Sequence, residues 1–244
     1  MTLDVRLGIN PISWTNDDVP SLGGETPLET ALAEGKAIGY EGFELGNKFP
    51  REPEALRAVL ARHGLACVSG WYSGHLARGS VADEIAAVEQ HLKLLASNGA
   101  KVMVYGEVAD AIQGRPLPLS RRPRFRTEAE WTAYGERVTA FAKHLLMHGV
   151  RLAYHHHMGA YVESADDVDR LLRATGPEVG LLHDTGHATF DPGDPGPDIL
   201  VYFVIVGQNA AKEGSYGPSS SGERLEADGI GACDRPQDLT GTSP

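Results

Sequence analysis

Cysteine is scarce in this 244-residue chain: Cys67 and Cys233 are the only two, too few for a disulfide framework. Basic residues are outnumbered, 22 Lys and Arg against 33 Asp and Glu, which leaves a formal charge of −11. Such a surface does not attract phosphate backbones or anionic lipid, which argues against nucleic-acid and membrane partners. Long apolar runs are missing as well. The longest, Ile199 to Val206, is far too short to span a bilayer. The opening Met1-Thr-Leu-Asp-Val-Arg6 has no basic stretch leading into an apolar core. No secretory leader is therefore expected, and the expected compartment is the cytoplasm. No Gly-x-Gly-x-x-Gly turn follows the first expected strand, where the sequence reads Asn10-Pro-Ile-Ser-Trp14. That disfavours a dinucleotide-binding open sheet.

What is present alternates. Six short apolar segments read as strands: 6–10, 42–45, 66–71, 101–105, 150–155 and 179–184. They carry few polar residues, as parallel strands covered by helices do. Helical patterns lie between them. Thr26-Pro27 puts proline at a first helical position, ahead of the apolar positions Leu28, Ala31, Leu32 and Ile38. Pro53 opens a second helix with Leu56, Val59 and Leu60. Ser80-x-x-Asp83 and Thr127-x-x-Glu130 read as capping boxes, and Ser164 precedes two acids in the first turn of a helix that ends near Gly176-Pro177. Gly39, Gly64, Gly99 and Gly149 each stand between a helix and the next strand. Strand–helix alternation means a parallel sheet with right-handed crossovers. At this length a (β/α)8 TIM barrel is favoured, since that fold takes about 250 residues. The pattern stops after the sixth strand. Residues 1–206 are read as an incomplete barrel, with 199–206 either a seventh strand or an apolar plug. Residues 207–244 hold only Leu225, Ile230 and Leu239 as aliphatic core formers and are read as a disordered tail.

In a parallel barrel, chemistry gathers at the carboxyl ends of the strands. Those ends supply Asn10, Glu44, Trp71, Glu107, His155, His157, Asp184 and His187. Five of the ten histidines fall between residues 155 and 187. Strand alternation points His155 and His157 to one side and His156 to the other. Imidazoles with a carboxylate and no thiolate suit a divalent Zn, Mn, Co or Fe ion. Glu44 is a general base, an acceptor for a sugar hydroxyl, or an ion-pair partner of Lys48. Trp71 is either an apolar wall beneath a sugar ring or a packing residue. Arg121, Arg122, Arg124 and Arg126 lie in a long loop after the fourth strand, as a substrate lid or a solvated basic segment. Cys67 lies inside a strand and reads as a buried thiol.

Tyr154-His-His-His-Met-Gly159 and Leu181-Leu-His-Asp-Thr-Gly-His187 resemble the inosose dehydratases, within the xylose-isomerase-like TIM-barrel superfamily. Ile9-Asn-Pro-Ile-Ser-Trp-Thr-Asn-Asp17, Gly42-Phe-Glu-Leu-Gly-Asn47, Gly70-Trp-Tyr-Ser-Gly74 and Tyr105-Gly-Glu107 are similar to it too. The resemblance covers about residues 5 to 198. It implies dehydration of 2-keto-myo-inositol (scyllo-inosose) to a trihydroxycyclohexane-dione in inositol catabolism, with Co²⁺ or Mn²⁺ and glutathione as cofactors. It also implies metal ligands at His157 (or His155) and Asp184; among the strand-end residues, Glu44 and His187 are the candidate catalytic groups. Asn10, Trp71, Glu107 and His155 would meet the substrate. The family's His-x-His-x-Lys-Asp and Val-Glu-x-Glu elements of the seventh and eighth strands are not found after His187. The sequence past about Leu200 therefore reads as a replaced or truncated end, with open strand edges that leave a homo-oligomer open. A sugar isomerase or epimerase on the same scaffold, and an inert incomplete barrel, are the competing expectations.

Overall fold

A computed structural model describes residues 6–184, 186, 187, 218, 219, 222 and 223. The expected strands form, with shifted ends: β1 (Gly8–Ile9), β2 (Gly42–Leu45), β3 (Ala66–Gly74), β4 (Val102–Glu107), β5 (Arg151–His155) and β6 (Val179–Leu182). Between them run α1 (Leu28–Ile38), α2 (Pro53–Arg62), α3 (Val81–Ser97), α4 (Glu128–Met147) and α5 (Ala165–Ala174). The six strands make one parallel sheet in the order β1-β2-β3-β4-β5-β6. Each helix carries the chain back to begin the next parallel strand, as in a TIM barrel. Among the described residues β1 pairs only with β2, and β6 only with β5. A separate two-residue antiparallel pair joins Pro218–Ser219 to Gly222–Glu223. The segment 199–206, and the rest of the expected tail, lie outside the described residues. None of the described helices is long and apolar enough to cross a membrane.

The local signals act much as the residue types dictate. Gly39, Gly64, Gly99 and Gly149 all take positive φ at the turns from helix to strand, a left-handed conformation that residues with a Cβ rarely adopt. Thr127 and Glu130 close a reciprocal box at the start of α4, and Ser164 with Asp167 closes another on α5. Ser80 accepts from the Asp83 amide, but the Asp83 carboxylate bonds the Ser80 hydroxyl rather than its backbone, so that box is not reciprocal. Pro27 sits one residue before α1, with extended ψ of 146°, and is the cap rather than the first helical residue. Ile38 is 65% exposed as the last residue of α1, just before the cap at Gly39.

The helix-facing side of the sheet holds the largest fully buried side chains, among them Tyr105, Tyr134, Tyr154, Phe43 and Phe141. Tyr72 stacks on Phe141 of α4 and on His91 of α3. Tyr105 packs on Phe141, and the Tyr134 and Tyr154 hydroxyls meet at 2.9 Å. Removing one such side chain from water stabilises the fold by about 1.5–3 kcal/mol. Alternation along each strand sends the neighbouring residues to the opposite face. There Glu44, Ser69, Trp71, Gly106 and His155 line the interior of the curved sheet near its carboxyl edge.

Candidate active site

β1 ends at Asn10, whose Oδ1 accepts from Ile12 N at 2.9 Å and caps a short 3-10 turn, Pro11–Ser13. Its Nδ2 donates to Glu44 Oε1 at 2.6 Å. The Ser69 hydroxyl donates to the other oxygen, Oε2, at 2.6 Å. Asn10 is thus committed to Glu44 and to its own turn, and its expected direct role on substrate gives way to that of a support. Lys48 does not pair with Glu44. Its ammonium donates instead to the carbonyls of Gly23, Gly24 and Thr26, at 3.2, 2.6 and 2.5 Å. These bonds tie the loop after β1 to the loop after β2.

Trp71 stands two residues beyond Ser69 on the same face. Its indole N–H donates to Ser73 Oγ at 2.8 Å, and its ring meets His155 edge-on at 5.3 Å between centroids. A methyl group on Gly106 would lie 2.2 Å from this indole, so only glycine lets β4 pass beneath it. Gly106→Ala is expected to displace Trp71 and destabilise the fold by about 1–3 kcal/mol, the usual cost of overpacking. Tryptophan fluorescence and urea denaturation of the variant check this. An unchanged emission spectrum would show that the indole does not rest there.

β5 ends at His155, so strict alternation does not reach His157, and the turn that follows sets its position. The rings of His155 and His157 lie 5.9 Å apart between centroids, those of His155 and His187 5.2 Å, and those of His157 and His187 4.2 Å. His156 is buried, its ring 6.0 Å from that of His187. Asp184 Oδ1 accepts from His187 N at 2.9 Å. Its Oδ2 lies 3.3 Å from His155 Nε2 and 4.0 Å from His187 Nε2. One ligand atom from each of His155, Asp184 and His187 falls within 4.8 Å of the others. His155 Nε2 and His187 Nδ1 are buried with no hydrogen-bond partner among the described residues. An orphaned pair of imidazole nitrogens beside a carboxylate is the donor set a divalent cation fits. His157 lies outside that close set, with Nδ1 2.8 Å from the Met158 carbonyl. The expected division of roles is redrawn accordingly: His187 and His155 stand with Asp184, and His157 stands beside them.

Burial, then the neighbouring His187 and His157, lowers the His155 pKa to about 4. Burial and His157 bring His187 to about 4 as well. Both rings are therefore neutral near pH 7, which a metal ligand must be. Burial raises the Asp184 pKa, but the His187 amide and the two imidazoles outweigh it and hold the carboxyl below its usual value.

Glu107 is not at this site. It shares the face of Met103 and Tyr105, one residue out of phase with Gly106, and it is 2% exposed on the helix side of β4. Its Oε2 accepts from Tyr105 Oη, Tyr134 Oη and Ala77 N, and its Oε1 from Ala109 N. Nor are the four loop arginines alike. Arg121, Arg124 and Arg126 are exposed, whereas Arg122 is buried against Glu163 and Asp167.

A Xylose isomerase-like TIM barrel family model matches residues 32–215. The chain is 49% identical over 197 residues to the "Rhizopine catabolism protein MocC" of Rhizobium meliloti, covering 79% of this chain and 59% of that protein. It is 38% identical over 192 residues to the inosose dehydratase of Geobacillus thermodenitrificans, covering 78% and 64%. The chain thus spans about three fifths of the length of these curated relatives. Among solved structures, an L-ribulose 3-epimerase has the same fold, with a TM-score of 0.56 at 16% identity over 78% of this chain and 64% of the epimerase. By the family match, the relatives and the six-stranded parallel sheet, the chain belongs to the xylose isomerase-like TIM barrel family.

Proposed function

We propose that this chain carries the site of a metal-assisted hydro-lyase that dehydrates a cyclitol ketone, 2-keto-myo-inositol, to a trihydroxycyclohexane-dione. The observation that carries the reading is the rim itself. A carboxylate with no cationic partner among the described residues, Glu44, stands on β2, and an imidazole–carboxylate set stands at the end of β5 and just past β6, with Trp71 between them. Relatives named inosose dehydratase, 37–38% identical to this chain, support the substrate class. His155, Asp184 and His187 would hold Co²⁺ or Mn²⁺, which when bound polarises the ketone as a Lewis acid. Glu44 removes the proton from the carbon beside the ketone. Trp71 offers an apolar face to the ring. The Met158 carbonyl can only accept, so His157 Nδ1 carries its proton and Nε2 is left for a hydroxyl. In its imidazolium form His157 gives the Nε2 proton to the departing β-hydroxyl, which leaves as water. Glutathione enters this reading only through the family resemblance. Cys67, the free cysteine among the described residues, is buried, which pushes its thiol up to about 12 and denies it a thiolate role.

Calorimetric titration with Co²⁺ and Mn²⁺ tests the ligand set: binding is expected to be lost in Asp184→Ala and kept in His157→Gln. An Asp184→Ala titration identical to the parent's would remove this residue from the site. With the ketone as substrate, release of water is read as the dione chromophore. His157→Gln should slow that release about 10²-fold or more. The L-ribulose 3-epimerase fold keeps a second reading in view, in which the same base returns its proton. Recovery of an epimerised ketone with no dione would establish it.

A further inference from the structure

We infer that Ser69 and Asn10 are positioning residues for Glu44, and that a register shift in β3 exists to bring Ser69 to it; this rests on the reading of Glu44 as the base. β2 pairs with β3 as Gly42 with Ala66 and Phe43 with Cys67, and then as Glu44 with Ser69 and Leu45 with Gly70. Val68 is the extra residue. Without it Glu44 would face Val68, and Ser69 would fall beside Leu45 on the helix side. A bulge breaks the ladder locally and is kept where it re-aims a side chain. Here it replaces an isopropyl group with a hydroxyl directly opposite the carboxylate, within 2.6 Å of Oε2.

The opposite flank is built with equal care. The Asn10 amide is locked by its cap bond to Ile12 N, so Nδ2 and not Oδ1 meets Glu44 Oε1. Each carboxylate oxygen therefore holds one neutral donor and keeps a lone pair free. Lys48, three residues past β2, is spent on backbone carbonyls, so among the described residues no cation pairs with the base. Two donors from the two neighbouring strands fix both the tilt and the rotation of the carboxylate plane. In the step they serve, the proton on the carbon beside the ketone passes to Glu44 as the C–H pair moves toward the carbonyl oxygen, giving the enolate. The proton on Glu44 then exchanges with solvent. Removing one donor lets the carboxylate turn, and a misplacement of about 1 Å can cost 10²-fold in rate.

The test is deuterium incorporation into 2-keto-myo-inositol, incubated in D₂O with the full chain and Co²⁺ and read by mass spectrometry. Ser69→Ala should lower the exchange rate 10- to 100-fold, with ketone affinity within threefold of the parent by calorimetry. Ser69→Thr, which restores a hydroxyl on a strand-compatible side chain, should recover most of the rate. Asn10→Ala should fall similarly, and Glu44→Gln should abolish exchange. If Glu44→Gln abolishes exchange while Ser69→Ala and Asn10→Ala exchange at the parent rate, the positioning inference is overturned and the base reading stands. If Glu44→Gln exchanges normally, or the parent does not exchange at all, the base reading fails and the inference falls with it.

Discussion

Arg122→Met should destabilise the chain by about 3–5 kcal/mol, the usual cost of breaking a buried ion pair by removing one partner. The Arg122 side chain is 5% exposed and that of Glu163 1%. Nη2 donates to Asp167 Oδ2 at 2.6 Å, and Nη1 to the carbonyls of Ala160 and Tyr161 at 3.3 and 3.2 Å. Nε lies 2.9 Å from Glu163 Oε1, although the two are not aligned as a hydrogen bond. Methionine fills much of the stem volume but leaves two carboxylates without the guanidinium that both of them meet. Asp167 keeps its capping bonds to Glu163 N, Ser164 N and Ser164 Oγ. Glu163 keeps only Gly159 N, and burial already raises its pKa. Arg122→Met combined with Glu163→Gln should therefore recover part of the loss in urea denaturation. A single variant as stable as the parent would show that the pair is worth no more than an apolar contact. Because Arg122 joins the loop after β4 to the turn after β5, the single variant should also loosen His157.

Glu107→Ala should cost about 3 kcal/mol or more, since a buried donor left without its acceptor costs about 1–3 kcal/mol and four donors converge here. Two are the hydroxyls of Tyr105 and Tyr134, and two are backbone amides that hold the chain at Ala77 and Ala109. Thermal denaturation reads the loss directly. Glu107→Gln separates charge from contact. Burial raises the Glu107 pKa above the ordinary glutamate value, against the four donors that lower it. A raised folded pKa gives stabilisation that is complete below the unfolded value and declines as pH rises through the folded one. The stability of the parent relative to Glu107→Gln should therefore be greatest in acid and shrink toward neutrality. A difference that grows with pH would mean that the donors prevail over burial.

These two residues also show where the amino-acid order is silent. The βα alternation was legible because apolar runs, caps and turn glycines repeat the same local physics in each unit. For Glu107 the position of a strand end does not suffice, because side-chain direction depends on parity. Gly106 faces the interior and Glu107, one residue later, faces the helices. Ser69 went unread for the same reason, since nothing in Cys67-Val-Ser-Gly-Trp71 marks Val68 as an extra residue. Arg122 looked like its three neighbours, and only its burial against Glu163 and Asp167 sets it apart. The histidines were visible as a group from their density alone. Their division into a set close to Asp184 and a neighbour at His157 depends on a turn beyond the last residue of β5, where periodicity gives no guidance.

The order β1-β2-β3-β4-β5-β6 is also the order of synthesis. Each of β2 to β6 finds a sheet partner already made as it leaves the ribosome, one helix upstream, and only β1 waits for a partner still to be translated. Loop closure is then confined to single βα units, where its entropic cost is smallest. The sheet can grow at one advancing edge, each helix docking before the next strand arrives. Beside the outer edge of β1, the edge exposed at any moment is the one the next unit covers, so that part of the hazard of an unpaired strand moves along the chain with translation.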